Sequence, residues 1–168
     1  MKIRTIAYIG ILIVLEIIMT RFVQIPVPVL PFHTDRISLG FLPIALAGAA
    51  FGPITGALTA AVADVIRATI FPQGTINLLF TVTAALRGGV YGLFFREKVT
   101  FPRVLTVSLL IFVFLNLLLN SYFVHISYGT PFLPFLSMKA VTSSINLVVQ
   151  ILVLGFVLEP LKKNMLRG

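Results

Sequence analysis

Residues 54–74 read ITGALTAAVADVIRATIFPQG. The stretch predicts an apolar helix of membrane-spanning length that ends at a Pro-Gln-Gly turn. Asp64 and Arg67 lie three residues apart near the end of this helix. Charged side chains are costly inside a bilayer and usually mark functional sites there. Asp64 and Arg67 are therefore the first candidate site residues, and the rest of the chain is read around them.

The bulk composition indicates an integral membrane protein. Of 168 residues, 58% are hydrophobic and 11% charged, and the mean hydropathy is +1.07, which is well beyond the usage of soluble domains. The first apolar segment lacks a small-residue cleavage site and is expected to be retained. The absence of cysteine excludes disulfide scaffolds and thiolate metal sites. No linker or repeat divides the chain, so residues 1–168 are expected to form a single membrane domain.

Six apolar segments predict an all-α integral membrane protein with six transmembrane helices in a compact bundle. They are separated by proline, glycine and charged residues, which are the usual breaks between spans of about 20 residues. The second is short for a full crossing. The segments are Ile6 to Phe22, Ser38 to Phe51, Pro53 to Phe71, Ile76 to Phe95, Val104 to Phe123, and Ser137 to Leu158.

The basic residues predict the topology. Eight of the thirteen lysines and arginines fall in three groups that six spans place on one side, which the positive-inside rule makes the cytoplasm, with both termini inside. These are Lys2 and Arg4, then Arg96, Lys98 and Arg103, then Lys162, Lys163 and Arg167. Residues 23–37, 72–75 and 124–136 become outward loops. The first, rich in proline, is expected to be extended and semi-rigid, and the third an ordered loop. Both are long enough to act as lids.

Polar side chains collect in the predicted outer half of the spans, which favours a site open to the outside over a purely structural bundle. The plainer alternatives stay open. Asp64 and Arg67 could neutralise each other, Arg21 and Lys139 could snorkel, and the amides could join helices. Glu16 lies mid-span and could pair with Arg87 or Lys139. The two histidines are interpreted as loop residues, because no further ligand sits at metal-binding spacing.

The chain lacks a phosphate-binding loop, a nucleophile elbow and a zinc-protease motif. It is therefore not expected to be an enzyme or to hydrolyse ATP. Small residues recur every four positions in Gly48, Gly52 and Gly56 and again in Ala84, Gly88 and Gly92. Such patterns allow close helix approach within the bundle or docking of another membrane protein.

Several motifs resemble the substrate-binding S components of energy-coupling factor (ECF) vitamin transporters, of the folate type. The resemblance covers Arg36 to Phe95. Its motifs are Arg36-Ile-Ser-Leu-Gly-Phe-Leu-Pro43-Ile, Gly48-Ala-Ala-Phe-Gly-Pro53, Ala63-Asp64-Val-Ile-Arg67, Phe71-Pro-Gln-Gly74 and Leu86-Arg87-Gly88-Gly-Val-Tyr91-Gly92.

The resemblance implies a subunit of the bacterial cell membrane that captures its vitamin from outside. It delivers the vitamin inward by toppling when docked on a transmembrane subunit (EcfT) and two ABC ATPases (EcfA and EcfA'). Family members dock through Ala-x-x-x-Ala on the first helix. Here only Ala7 and Ile11 stand at that spacing, with Gly10 beside them, so Gly88 and Gly92 are expected to share the docking surface.

The polar residues of the chain suit folate as the ligand, and no cofactor or nucleic acid is expected. Its pterin ring calls for amide or carboxylate partners and an aromatic face, and its dianionic tail calls for cations. The alternatives are an S component for another anionic vitamin such as pantothenate, and a non-transport assembly protein. The candidate substrate-binding residues are Asp64, Gln73, Asn77, Asn116 and Asn120 for the ring edge, Phe71, Tyr122 and Tyr128 for its face, and Arg21, Arg36, Arg67, Arg87 and Lys139 for the tail. Asn146 is a further candidate without an assigned part of the ligand.

Overall fold

The computed structural model describes residues 3–30, 33–71 and 78–167. Within these ranges the chain forms six helices and one β-hairpin, which confirms the predicted all-α membrane bundle. The elements are α1 (Ile3–Arg21), β1 (Gln24–Leu30), β2 (His33–Ser38), α2 (Phe41–Phe51), α3 (Pro53–Ile70), α4 (Leu78–Phe95), α5 (Phe101–Tyr128) and α6 (residues 132–167). Two helices contain π-helical stretches, Ile111–Leu119 in α5 and Leu154–Leu158 in α6. All except α2 are long and apolar enough to cross a membrane.

Helix α2 is the buried centre of the bundle. Residues 41–49 are all buried, and α2 contacts α1, α3, α4 and α6. A helix that is apolar on every side belongs in a core. With 11 residues it is about 16 Å long, roughly half the hydrocarbon thickness. The predicted segment from Ser38 is thus too long, since its first residues belong to the hairpin and a turn.

A seam of glycines holds α2, α3 and α4 together. A Cβ added to Gly88 would lie 2.2 Å from the carbonyl oxygen of Gly56, and one added to Gly92 would lie 2.3 Å from the Cα of Pro53. A Cβ on Gly48 would come within 2.7 Å of the Gly92 nitrogen. The backbones therefore touch directly, as small residues at four-residue spacing allow. Only Gly52, at φ 93°, separates α2 from α3.

The two strands pair antiparallel, from Gln24 opposite Ser38 to Leu30 opposite His33. The prediction of extended chain is confirmed for residues 24–30 and 33–37, although the sequence did not indicate pairing. The hairpin contacts α6 and the end of α1. We call this end of the bundle, with Arg21, Ile70, Leu78, Tyr128 and Phe132, the hairpin end.

The predicted loop over residues 124–136 is wrong. Helix α5 continues to Tyr128 and α6 begins at Phe132, so only residues 129–131 connect them. Gly129 ends α5 in the left-handed region at φ 64°, where glycine costs least. Pro134 lies in the first turn of α6, where a backbone N–H has no helical acceptor and proline is tolerated. A connection this short is not a lid.

At the opposite end of the bundle, a lysine of α6 binds the C-terminal end of α4. The Nζ of Lys162 donates to the carbonyl oxygens of Phe95 (2.7 Å) and Arg96 (2.5 Å). These carbonyls lie at the C-terminal end of α4, where a cation satisfies free acceptors and the helix dipole. The contact fixes α6 against α4.

Candidate functional site

Seven polar side chains meet in the interior of the bundle towards the hairpin end. They come from four helices, α1, α3, α4 and α5, and we call them the polar cluster. Its members are Glu16, Thr20, Asp64, Arg67, Thr81, Arg87 and Asn116. Four of them carry charge, and Glu16 lies within electrostatic reach of the other three charged groups, Asp64, Arg67 and Arg87. The cluster is therefore one connected site rather than isolated polar residues.

Asp64 joins α3 to α4. Its Oδ1 accepts a hydrogen bond from Arg67, one turn along α3, and its Oδ2 accepts one from Thr81 Oγ1 at 2.7 Å. The Asp64 side chain is 9% exposed and that of Arg67 28%. Both carboxylate oxygens are thus occupied, and the neutralising ion pair considered from the sequence is present. Arg67 Nε is buried and has no partner among the described residues.

Arg87 joins α4 to α5. Its Nη2 donates to Asn116 Oδ1 at 2.7 Å. Asn116 lies in the π-helical stretch of α5, a feature common at functional sites because it redirects side chains. Arg87 Nε is buried without a partner in the described part of the chain. Both arginines therefore retain a buried donor that faces no acceptor of the described chain.

Glu16 is the residue that the candidate list missed. It is 6% exposed, its Oε1 accepts a hydrogen bond from Thr20 at 2.9 Å, and its Oε2 is buried with no partner among the residues described. Gly40 makes room for this pair, since a Cβ there would lie 1.9 Å from Thr20 Oγ1. The signal was available, because a carboxylate in the middle of a span is a functional candidate by default.

Two further cations lie on aromatic rings nearer the hairpin end. The Arg21 guanidinium carbon is 5.3 Å from the centre of the Phe71 ring, and Lys139 Nζ is 5.4 Å from that of Phe135. Lys139 is only 3% exposed, so it does not snorkel to the surface. Phe135 packs with Val124 and Phe80, which places Lys139 beside the outer turns of α4 and α5. Cations over aromatic rings are stabilised by the negative ring face.

The remaining candidates are dispersed. Asn120 and Asn146 are half-buried on α5 and α6. Tyr122 and Tyr128 are 52% and 42% exposed. Tyr122 faces an open apolar groove of about 340 Å³ on the outside of α5 and α6, lined also by Phe114, Leu118, Leu119 and Phe132, so the structure separates it from the polar cluster.

Three candidates cannot be placed by their side chains. Arg36 lies in β2 opposite Pro26, and only its backbone is described. Gln73 and Asn77 lie outside the described residues. In the described ranges no three histidine or acidic side chains form a metal-binding group, and His125 instead contacts the carbonyl of Thr130 at 2.5 Å in the short α5–α6 turn.

The predicted docking residues divide into two sets. Gly88 and Gly92 are buried in the glycine seam, so their inclusion in an outward docking surface is wrong, because backbone of α2 and α3 covers them. Ala7, Gly10 and Ile11 lie exposed on one side of α1, and nothing lies within 4 Å of a Cβ added to Gly10. That side of α1 is open to lipid or to a partner.

The charges at the hairpin end do not cancel. The site has two more positive than negative side chains: the cations are Arg21, Arg67, Arg87 and Lys139, and the anions are Glu16 and Asp64. The hairpin sequence adds one charge of each sign, Asp35 and Arg36, and leaves this excess unchanged. Burying charge without compensation is costly. The site is therefore suited to a ligand with about two negative charges.

Comparisons with known proteins relate the chain to vitamin transporters. A family model described as "ECF-type riboflavin transporter, S component" matches residues 1–163. The chain is 36% identical over 129 residues to a "Folate transporter FolT" from Clostridium novyi (strain NT), covering 76% of this chain and 72% of that protein. It is 30% identical over 131 residues to the protein of the same description from Leuconostoc mesenteroides subsp. mesenteroides, covering 74% and 71%.

Among solved structures, it is similar to one described as "Crystal structure of FolT bound with folic acid". The TM-score is 0.83 at 28% identity, and the match covers 93% of each chain. The likeness thus extends over nearly the whole chain.

Proposed function

The chain belongs to the S-component family of ECF-type transporters, and we propose that it is a folate-binding member of that family. In this proposal the polar cluster and its two flanking cations form the vitamin site. The protein captures folate from outside the cell and delivers it inward when docked on its energising module.

The observation that carries the proposal is the similarity to the folic acid-bound FolT structure over 93% of both chains. Both relatives described as folate transporters support the same ligand. A match of this extent leaves few residues of the chain outside the shared fold, which supports a ligand site in the same kind of bundle.

The charge balance supports folate independently of the relatives. The glutamate tail of folate carries two carboxylates, which match the excess of two positive charges at the hairpin end. Arginine and lysine are suited to carboxylates through charge-assisted hydrogen bonds. Riboflavin is uncharged and would leave this excess without compensation.

Riboflavin is nevertheless the second candidate, because the matching family model is described by that vitamin. The two candidates differ in what the site must supply. A flavin needs a broad aromatic slot and neutral hydrogen-bonding groups, whereas folate also needs cations. Arg21 over Phe71 and Lys139 over Phe135 favour the anion.

The energy for transport would come from partner subunits. The proposed partners are the transmembrane subunit EcfT and the ATPases EcfA and EcfA', in the plasma membrane of a bacterium. The exposed side of α1 at Ala7, Gly10 and Ile11 is the proposed docking surface, since small side chains there let a partner helix approach closely.

Isothermal titration of the purified protein in detergent tests the ligand directly. We expect one folate bound per chain without ATP, and no saturable binding of riboflavin or pantothenate. At a concentration of about 100 times Kd, folate would raise the free energy of unfolding by about 2.7 kcal/mol, which a thermal-shift assay detects. Saturable riboflavin binding with none for folate would overturn the proposal in favour of the second candidate.

A further inference from the structure

Glu16 offers a carboxylate oxygen that the described chain does not use. Oε1 accepts from Thr20, whereas Oε2 is buried and unpartnered among the described residues. Asp64, the other carboxylate of the polar cluster, differs because Arg67 and Thr81 occupy both of its oxygens. A buried acceptor without a donor is costly. Glu16 is therefore the carboxylate that is free to meet a ligand.

The edges of the two candidate rings differ in the pattern of their donors. The pterin ring of folate presents two adjacent N–H donors, on its 2-amino group and on N3. The matching edge of a flavin presents a single N3–H between two carbonyl oxygens. An ionised carboxylate only accepts hydrogen bonds, so it pairs with both pterin donors but faces a repulsive carbonyl on a flavin.

From this geometry we infer that Glu16 binds the 2-amino and N3 edge of the pterin ring and selects folate over flavins. The inference rests on the proposed function and adds a specificity-determining residue to it. The unpartnered Nε atoms of Arg67 and Arg87 supply complementary donors for the ring's acceptors.

The distribution of charge fixes the direction of the ligand. Glu16, Asp64, Arg67 and Arg87 balance one another, so the inner part of the site is neutral and suits an uncharged ring. The two excess cations, Arg21 and Lys139, lie nearer the hairpin end. Arg21 is five residues beyond Glu16 on α1, about 7.5 Å along the helix. The pterin therefore lies inward and the glutamate tail points to the hairpin.

Glu16→Gln, titrated with folate and with 2-desamino-2-methylfolate, tests the contact. Glutamine keeps the shape but replaces one acceptor by a donor. We expect folate affinity to fall by about 10- to 100-fold, as for a hydrogen-bonded charged group. The desamino analogue lacks the 2-amino donor but keeps N3–H, which the glutamine oxygen can still accept. Its affinity should therefore fall by less than about threefold between wild type and variant, because the contact that the substitution removes is already absent.

Asp64→Asn is the matched control, a second carboxylate-to-amide change in the same cluster. It should weaken both ligands by the same factor, because its oxygens bind Arg67 and Thr81 rather than the ring. Equal losses for both ligands in Glu16→Gln would overturn the inference and make Glu16 a positioning residue. Unchanged folate affinity would remove it from the site. If wild type itself fails to bind folate, the proposed function fails first, and the variant is not needed to show it.

Discussion

Arg87 is a half-buried cation that joins two helices, and its buried Nε still has a hydrogen to donate. One amino group binds Asn116, and Nε has no partner among the described residues. A ligand acceptor at Nε would form a charge-assisted hydrogen bond, which is stronger than a neutral one. Arg87 is therefore expected to contribute directly to folate affinity.

We predict that Arg87→Ala weakens folate binding by more than about 2 kcal/mol, the scale of a lost buried charge contact. Titration calorimetry measures the change. Arg103→Ala is the control, because Arg103 is exposed at the opposite end and donates to the carbonyl of Lys98. Equal affinity of the Arg87 variant and wild type would place Arg87 outside the site.

Sequence spacing could predict the Asp64–Arg67 pair, since residues three apart on a helix are neighbours. It could not predict Thr81 as the second partner of Asp64, because that contact depends on how closely α3 and α4 approach. The sequence also could not show that Tyr122 lies away from the polar cluster. Hydropathy does not tell which side of a helix with a π-helical stretch, such as α5, faces the interior. Glu16 is different, because its depth alone marked it.

At the scale of elements, the glycine seam between α2, α3 and α4 controls how closely the site's helices approach. We predict that Gly88→Ala lowers the free energy of unfolding by about 1–3 kcal/mol, the cost of overpacking, because its Cβ would meet the Gly56 carbonyl at 2.2 Å. Thermal unfolding in detergent measures this. Gly155→Ala is the control, since its Cβ would make an ordinary contact of 3.5 Å with Phe101. Equal melting temperatures for the two variants would contradict the seam.

The presence of the helices could be predicted from the lengths of the apolar segments, but the residues at which the helices end could not. The short turn at residues 129–131 could not be predicted, because its glycine and prolines fit two structures equally well. Gly129, Pro131 and Pro134 are typical of a long loop, and also of one helix that ends directly before the next begins. The hairpin was hidden because prolines favour extended chain without specifying a partner strand. The number of transmembrane helices was also hard to predict. Helix α2 is as apolar as a transmembrane helix, yet it is a core helix of only 11 residues.

At the scale of the whole molecule, the two ends of the bundle differ in charge. Among the described residues, the end opposite the hairpin carries seven lysines and arginines with Glu97 and Glu159, and the proposed binding site lies towards the hairpin end. The positive-inside rule predicts that the basic end lies in the cytoplasm. Folate would then enter beside the hairpin from outside, as an importer requires.

The absence of cysteine makes this orientation measurable with single introduced thiols. We choose Ser127→Cys and Lys98→Cys, because both positions are exposed. Position 127 is near the hairpin end, and position 98 is in the connection between α4 and α5. We expect a membrane-impermeant maleimide to label Ser127→Cys in intact cells, and Lys98→Cys only after permeabilisation, because the bilayer separates the two ends. The reverse labelling pattern would show that the proposed site faces the cytoplasm. The protein could then not capture folate from outside the cell.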